Sequence, residues 1–385
     1  MKISAYYPNY FKDFGIAHAC YYIMKAMQLN QAEISLVGIT SDRVFSDSFY
    51  RDAIPKWSKS LVYKALPDKV ILKMAELIYF NSLSKDVDFA YLWPGISLST
   101  YQSIKKRGLK IIFEGVNSPA GNIKKILDAE YTRLKLPAAH GITQQYIDDE
   151  LERIALADYV YSCNPMMRSY FENIGVPKEN ILDTSFGLSA SAILDTTSLK
   201  PQNQLGLPTF IFVGSIGVRK GAHLLLDYWV KSKLNAKLKL VGSIEEALKP
   251  LVNQYLADSR IEHIPFTSDL ANIYKSADVF ILPSLEEGSP LVTYLALGAG
   301  LPVIASPMGG GNIIADGLDG FVIEPHDENK WVECMRLLTE DAGLRQKLSQ
   351  QSKHKALSYT WDVVGADRFN SIVKAEAKKA DAHHI

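Results

Sequence analysis

SADVFILPSLEEGSPLVTYLALGAGLPVIASPMGGG, residues 276–311, is the stretch from which the fold can be read. Residues 278–282 are an apolar run rich in β-formers, of strand length and too short for a helix. Pro283-Ser284 ends it, and a loop with Glu286, Glu287 and Gly288 follows. Ser289-Pro290 then predicts a helix start: serine suits the N-cap, and proline suits the first helical position, where no N–H is needed. Gly298, Gly300 and Pro302 close that helix. A second strand is expected over 302–306, before the glycine run Gly309, Gly310 and Gly311.

Strand, acidic loop and helix start together predict a phosphate site. Free N–H groups at 289–292 and the positive end of the helix dipole favour an anion. In open parallel sheets, ligands sit outside the carboxyl ends of the strands, which is where this loop falls. A phosphate there would repel Glu287 unless the carboxylate accepts hydrogen bonds from a polyhydroxylated group. A sugar joined to a phosphate is therefore the expected ligand.

A chain of 385 residues suggests two domains, each with its own core. Hydrophobic content of 47% and charged content of 22% are those of an ordinary globular protein. A formal net charge of +0 argues against nucleic acid as the main partner, since no basic excess exists to neutralise phosphates. Cys20, Cys163 and Cys334 lie far apart, with no metal or redox spacing, and read as buried residues in a reducing compartment. The start, MKISAYYPNY, has neither the charged lead nor the apolar core of a signal peptide. No apolar run is long enough to span a bilayer, so a cytoplasmic protein is expected.

In the first half, strands are expected over 2–7, 33–39, 88–94, 109–113, 157–162 and 181–185, with helices over 16–29 and 164–173. The loop after 109–113 carries Glu114, Asn117 and Ser118. Glu114 there fits either a catalytic role or a structural one such as helix capping. Residues 51–85 interleave Trp57, Leu61, Leu72, Met74 and Ile78 with Lys56, Lys59, Lys64, Lys69 and Lys73. Two readings stand: a peripheral contact of 51–75 with an anionic membrane surface, or surface helices whose lysines face water. Residues 189–207, rich in Ser, Thr, Pro, Gln and Asn without apolar periodicity, read as a domain boundary.

In the second half, strands are expected over 209–214, 237–242 and 261–264, alternating with helices as in a parallel sheet. The loop 215–221 leads into a helix at 222–231. Lys220 at that helix start opposes the dipole at a cost of about 0.3–1 kcal/mol, a conflict that an anionic ligand removes. Phe266 follows the strand 261–264 and reads either as a stacking surface for a base or as a core aromatic.

PSLEEGSPLVTYLALGAGLPVIAS is similar to the donor-site signature of family 4 retaining glycosyltransferases, which have the GT-B fold. The resemblance implies an α/β chain of two Rossmann-like domains facing across a cleft. Its acceptor-side domain would span 1–188, a linker 189–207 and a nucleotide-sugar domain 208–360, with a C-terminal helix over 361–385 crossing back to the first domain. The segment ADYVYS, the helix after it and Gly175-Val176-Pro177 also resemble the family.

Those enzymes carry two glutamates separated by seven residues, the first followed by glycine. Glu287 fits the first; the second position is Leu295. An arginine and a lysine usually grip the donor diphosphate. Lys220 fits the lysine, whereas Ser215 stands at the arginine position and Arg219 is the substitute at hand. The resemblance implies Glu287 and Lys220 as catalytic residues. Donor contacts fall on Gly214, Ser215, Arg219, Gly242, Phe266, Gly288, Ser289, Pro290, Leu291 and Leu295. Gly15, Glu114 and Asn117 would lie on the acceptor side.

The implied reaction moves a sugar from a nucleotide-sugar donor to a glycan or lipid-linked acceptor with retention of configuration, without metal or cofactor, in cell-surface polysaccharide assembly. Leu295 cannot accept the ribose hydrogen bonds, worth about 1.5–3 kcal/mol for a charged acceptor. Other groups hold the ribose, or the donor binds more weakly, or catalysis is lost; the retained Glu287 and Lys220 argue against loss. A non-catalytic protein on this scaffold, binding a sugar nucleotide or a partner glycosyltransferase, is the alternative, and an epimerase or phosphorylase of the same shape is another.

Overall fold

A computed structural model describes residues 1–12, 14–41, 45, 47–193 and 206–382. Residues 194–205, most of the expected linker, and 383–385 lie outside that description. The chain divides into two units. The first comprises Met1–Pro119, Thr143–Thr184 and Trp361–Ile385; the second comprises Ala120–Ile142 and Ser185–Thr360.

The first unit is built on seven strands: β1 (Lys2–Tyr7), β2 (Glu33–Gly38), β3 (Tyr50–Asp52), β4 (Phe89–Leu92), β5 (Lys110–Glu114), β6 (Tyr159–Ser162) and β7 (Ile181–Asp183). Their order is β3-β2-β1-β4-β5-β6-β7, and every pairing is parallel. The second unit has six: β8 (Thr209–Val213), β9 (Lys237–Val241), β10 (Ile261–Ile264), β11 (Val279–Leu282), β12 (Val303–Ala305) and β13 (Gly320–Val322). These run β10-β9-β8-β11-β12-β13, again all parallel. Parallel sheets carry helices on both faces, so their strands are apolar throughout rather than alternating. FAYL, TFIFV and VFIL obey this, with every residue buried. Strand order reverses between β1 and β4 in one sheet and between β8 and β11 in the other, the places where such sheets bind ligands.

Three elements depart from the sequence reading. Tyr50–Asp52 is an edge strand, although nothing local marks it, because Leu36, Val37 and Gly38 of β2 offer it a parallel partner. The glycine run, for which no element was expected, begins within one helical turn, Pro307–Gly310, capped by Ser306, whose Oγ accepts from the Gly309 N–H at 2.9 Å. The expected uninterrupted domain 1–188 is broken, since 120–142 groups with the second unit. The buried Glu130 holds the helix Ala120–Arg133 there. His223 Nε2 lies 2.6 Å from its Oε1, and Arg133 donates to that oxygen from Nε at 3.0 Å and Nη2 at 2.5 Å.

In the first unit the C-terminal helix, Trp361–Ala382, is fastened by a charge pair. Arg368 and Glu114 are both fully buried. Arg368 Nη1 donates to Glu114 Oε2 at 2.7 Å and to Tyr91 OH at 2.8 Å, while Tyr161 OH donates to the Arg368 carbonyl at 2.7 Å. Gly365 lets this helix come close to the helix Gly15–Leu29, since a Cβ there would stand 2.3 Å from Ala26 Cβ.

Removing one member of a buried pair strands the other, so Glu114→Ala or Arg368→Ala is expected to cost about 3–5 kcal/mol. The double replacement Glu114→Leu with Arg368→Met is expected to be milder than either single change, as measured by denaturant unfolding. A second expectation concerns acid. Burial pushes the Glu130 carboxyl up, but His223 and Arg133 outweigh it and hold it at about 2 against an ordinary 4.5. A carboxyl depressed by folding stabilises above its unfolded value and loses that contribution as pH falls through its folded one. Thermal stability should therefore fall progressively from pH 4.5 towards about 2, and Glu130→Gln should flatten that part of the profile.

Candidate functional site

β8 and β11 are neighbours at the reversal point of the second sheet, so the loops leaving their carboxyl ends lie side by side. Gly221 lets these loops touch. Its φ is +66°, and a Cβ there would meet the Pro283 carbonyl oxygen at 2.0 Å. The Leu285 N–H donates to the Arg219 carbonyl at 2.9 Å, locking one loop to the other. Arg219 and Lys220 are thereby aimed at Glu286 and Glu287.

Lys220 Nζ donates to Glu287 Oε1, and Arg219 Nη1 stands 3.0 Å from the same oxygen. Arg219 Nη1 also donates to the Glu286 carbonyl at 3.0 Å and lies 3.4 Å from Glu286 Oε2. Glu286 is sealed from solvent, Glu287 and Lys220 are nearly so, and the Arg219 side chain is 35% exposed, which places the opening of the cluster at the guanidinium. Burial pushes the Glu287 carboxyl up, yet the charges of Lys220 and Arg219 outweigh it and hold it below the ordinary carboxylate range. Glu287 in turn raises Arg219 further. Both cations end on one oxygen of one carboxylate, an arrangement that an incoming anion can compete for.

The helix Leu291–Gly298 begins beside Glu287. Its N-cap is Pro290, one residue later than the sequence suggested, and no side chain caps it. Ser289 is drawn elsewhere: its Oγ lies 2.5 Å from Tyr294 OH, which accepts from the Phe186 N–H at 3.0 Å. The uncapped helix start follows Gly288 directly. Leu291, the first helical residue, and Leu295, one turn on, are half-buried.

Around this centre, Gly214 is half-buried and Ser215 exposed at the end of β8. Gly242, with φ +141°, would drive a Cβ to 2.0 Å from the Gly214 carbonyl oxygen, so the ends of β8 and β9 abut. Phe266, beyond β10, is 72% exposed and is therefore a surface aromatic, not a core one.

Of the residues expected on the acceptor side, Asn117 is exposed in the loop after β5, and Gly15 opens its helix at φ +65° with open space around it. Glu114 is corrected: fully buried against Arg368 and Tyr91, it fastens a helix and has no surface to offer a sugar.

Glu245 was not foreseen. Its Oε2 accepts from the Val218 N–H at 2.9 Å, bracing the loop that carries Lys220, and its Oε1 accepts from Tyr131 OH. A glutamate three residues past Gly242 was the available signal; its partners come from distant parts of the chain and left none. Glu286 and Tyr294 were missed for the same reason. Among the described residues, no group of three or more His, Cys, Asp or Glu is arranged to hold a metal ion.

Residues 195–355 match the family model described as glycosyl transferases group 1. An uncharacterized glycosyltransferase of Haemophilus influenzae is 30% identical over 178 residues, 44% of this chain and 50% of that protein. D-inositol 3-phosphate glycosyltransferase of Arthrobacter sp. is 26% identical over 208 residues, 49% of each. The chain spans about half the length of the curated relatives it matches.

Among solved structures, sucrose-phosphate synthase of Thermosynechococcus elongatus superposes with a TM-score of 0.70 at 16% identity, covering 98% of this chain and 99% of that one. Anabaena HepE in complex with UDP and glucose gives 0.66 at 14% identity, covering 98% and 100%. A reversal-point cluster of two cations on one carboxylate, beside an uncapped helix start, thus lies within the stretch, residues 195–355, that matches the glycosyl transferases group 1 model, on a chain with the GT-B fold.

Proposed function

We propose that this chain is a glycosyltransferase, of family 4 within that group, transferring a sugar from a nucleotide-sugar donor to a glycan or lipid-linked acceptor. In this reading the transfer retains anomeric configuration, needs no metal, and serves cell-surface polysaccharide assembly at the cytoplasmic side of a membrane. The observation that carries it is the convergence of Lys220 and Arg219 on Glu287 at the start of the helix Leu291–Gly298.

The donor diphosphate takes the place of Glu287 as partner of the two cations. Its negative charge, which grows as the sugar departs, meets Lys220, Arg219 and the helix amides, all held in place beforehand. Arg219 stands in for the charge that Ser215 lacks. Glu287, released from Lys220, accepts hydrogen bonds from the sugar hydroxyls and orients the ring. The departing phosphate takes the acceptor proton. In this reading Phe266, exposed past β10, stacks on the base; its exposure supports that role over a core one. Asn117 and Gly15 remain the acceptor-side residues of the reading. HepE was solved with UDP and glucose, which makes UDP the first nucleotide to try.

Leu295 and Ser215 favour a second reading, a protein that binds sugar nucleotides without turning them over. Release of nucleoside diphosphate only when acceptor is present decides for the transferase, and tight donor binding without turnover across acceptors decides for the binding protein.

A thermal-shift screen of nucleoside diphosphates and sugar nucleotides should raise the melting temperature for at least one of them. Lys220→Ala should weaken diphosphate binding by about ten- to a hundredfold, the worth of one charged hydrogen bond. Glu287→Ala should lower turnover by about a hundredfold while leaving diphosphate affinity equal or tighter, because the competing carboxylate is gone. Equal affinity in the Lys220 variant would remove the assigned site. Restoring the missing acceptor with Leu295→Glu should tighten a ribonucleoside diphosphate by about tenfold or more, measured by calorimetry.

A further inference from the structure

We propose that the helices Lys56–Ala65 and Asp68–Ser82 of the first unit form a docking surface for an anionic lipid bilayer, lying in its interface. The surface itself stands on geometry alone; only the idea that it brings a lipid-linked acceptor to the protein rests on the transferase reading.

The helix Lys56–Ala65 has no buried residue. Trp57 and Leu61, one turn apart and so on one face, are 87% and 71% exposed. Such a helix gains little from packing on its own protein, with only Ser58, Lys59 and Val62 half-buried, although packing is what usually sustains a short helix. The next helix, joined to it by Leu66-Pro67, buries Ile71, Ala75 and Tyr79 on one side. Its opposite side is apolar as well: Val70, Met74, Leu77 and Ile78 follow helical spacing and are all exposed. An ordinary surface helix turns polar residues outward, so this second stripe has no explanation inside the fold.

Charge indicates what covers it. Residues 56–82 contain five lysines, Lys56, Lys59, Lys64, Lys69 and Lys73, against two acids, Asp68 and Glu76. Glu76 is turned inward, accepting from the Ser97 N–H at 3.0 Å and from Thr100 Oγ1 at 2.6 Å. The outward charge is therefore strongly positive, on a protein whose overall charge is +0. Lys69 and Lys73 flank the apolar stripe of their helix, and Lys64 lies on the Trp57–Leu61 side of the other. Apolar residues with a tryptophan, bordered by lysines, fit the boundary between acyl chains and anionic headgroups. No helix among the described residues is long and apolar enough to cross a bilayer, so the contact is a peripheral one.

Trp57 also supplies the readout. The other four tryptophans, Trp93, Trp229, Trp331 and Trp361, are buried, so a change in emission on binding reports this surface. The test mixes the full chain, without substrates, with vesicles of phosphatidylglycerol and phosphatidylcholine or of phosphatidylcholine alone. Expected results are sedimentation with the anionic vesicles, a blue shift lost in Trp57→Phe, and weakening by added salt. Each of Lys64→Ala, Lys69→Ala and Lys73→Ala should reduce affinity about fivefold. Leu61→Glu with Leu77→Glu should abolish binding while keeping the wild-type melting temperature and nucleotide-induced shift.

Absence of vesicle binding overturns the proposal, as does equal binding to both kinds of vesicle. So does concentration-dependent dimerisation, lost in the Leu61 and Leu77 variant, without vesicle binding; a second copy would then cover the stripe. Because no sugar donor enters the test, its failure leaves the transferase reading untouched, and a failed nucleotide screen leaves this surface untouched.

Discussion

Two loops of the second unit are pressed together at Gly221 and Pro283, and the charges they carry have nowhere else to go. Arg219 and Lys220 leave β8, Glu286 and Glu287 leave β11, and the four neutralise one another within a small volume. Burying a carboxylate is costly unless a cation and further hydrogen bonds accompany it, and that condition is met here. Glu286 is sealed and shares Arg219 with Glu287, which is nearly sealed and also holds Lys220. A cluster balanced in this way holds both cations in fixed positions.

The same rule organises parts of the chain that touch no substrate. Arg368 and Glu114 neutralise each other in the first unit and attach the last helix to β5, with Tyr91 and Tyr161 taking up the remaining hydrogen bonds. Glu130 does this for the helix Ala120–Arg133 in the second unit, using His223 and Arg133. Next to it, Tyr131 reaches Glu245, which braces the Val218 amide in the loop of Lys220. Buried charges thus act as fasteners at Glu114 and Glu130, and as a cluster of four where the loops after β8 and β11 meet.

Much of the architecture was legible in the residues. Runs such as TFIFV and VFIL could only be strands covered on both faces, and their alternation with helices announced parallel sheets. Lys220 and Glu287 were singled out because each is uncomfortable where it stands, a cation at a helix start and a carboxylate beside an expected anion site, and the structure brings the two together. The features that escaped notice depend on partners far away in sequence. β3 is a strand only because β2 is beside it, and Ser289 abandons its capping role because Tyr294 waits one turn on. Glu114 misled for the converse reason: a polar residue at a strand's carboxyl end looks available until Arg368, 254 residues later, is seen to occupy it.

By itself, then, the sequence determined what is local: where strands and helices lie, which loops carry charge, and that a helix starts shortly after Gly288. Periodicity, capping and turn chemistry act over a few residues, so a few residues suffice to read them. Only the tertiary structure decided which charges are paired and how deeply each pair is buried. It also decided that the helix Ala120–Arg133 serves the second unit and that an apolar stripe on Asp68–Ser82 is left uncovered. Pairing and burial are properties of neighbours in space, and neighbours exist only once the chain has folded.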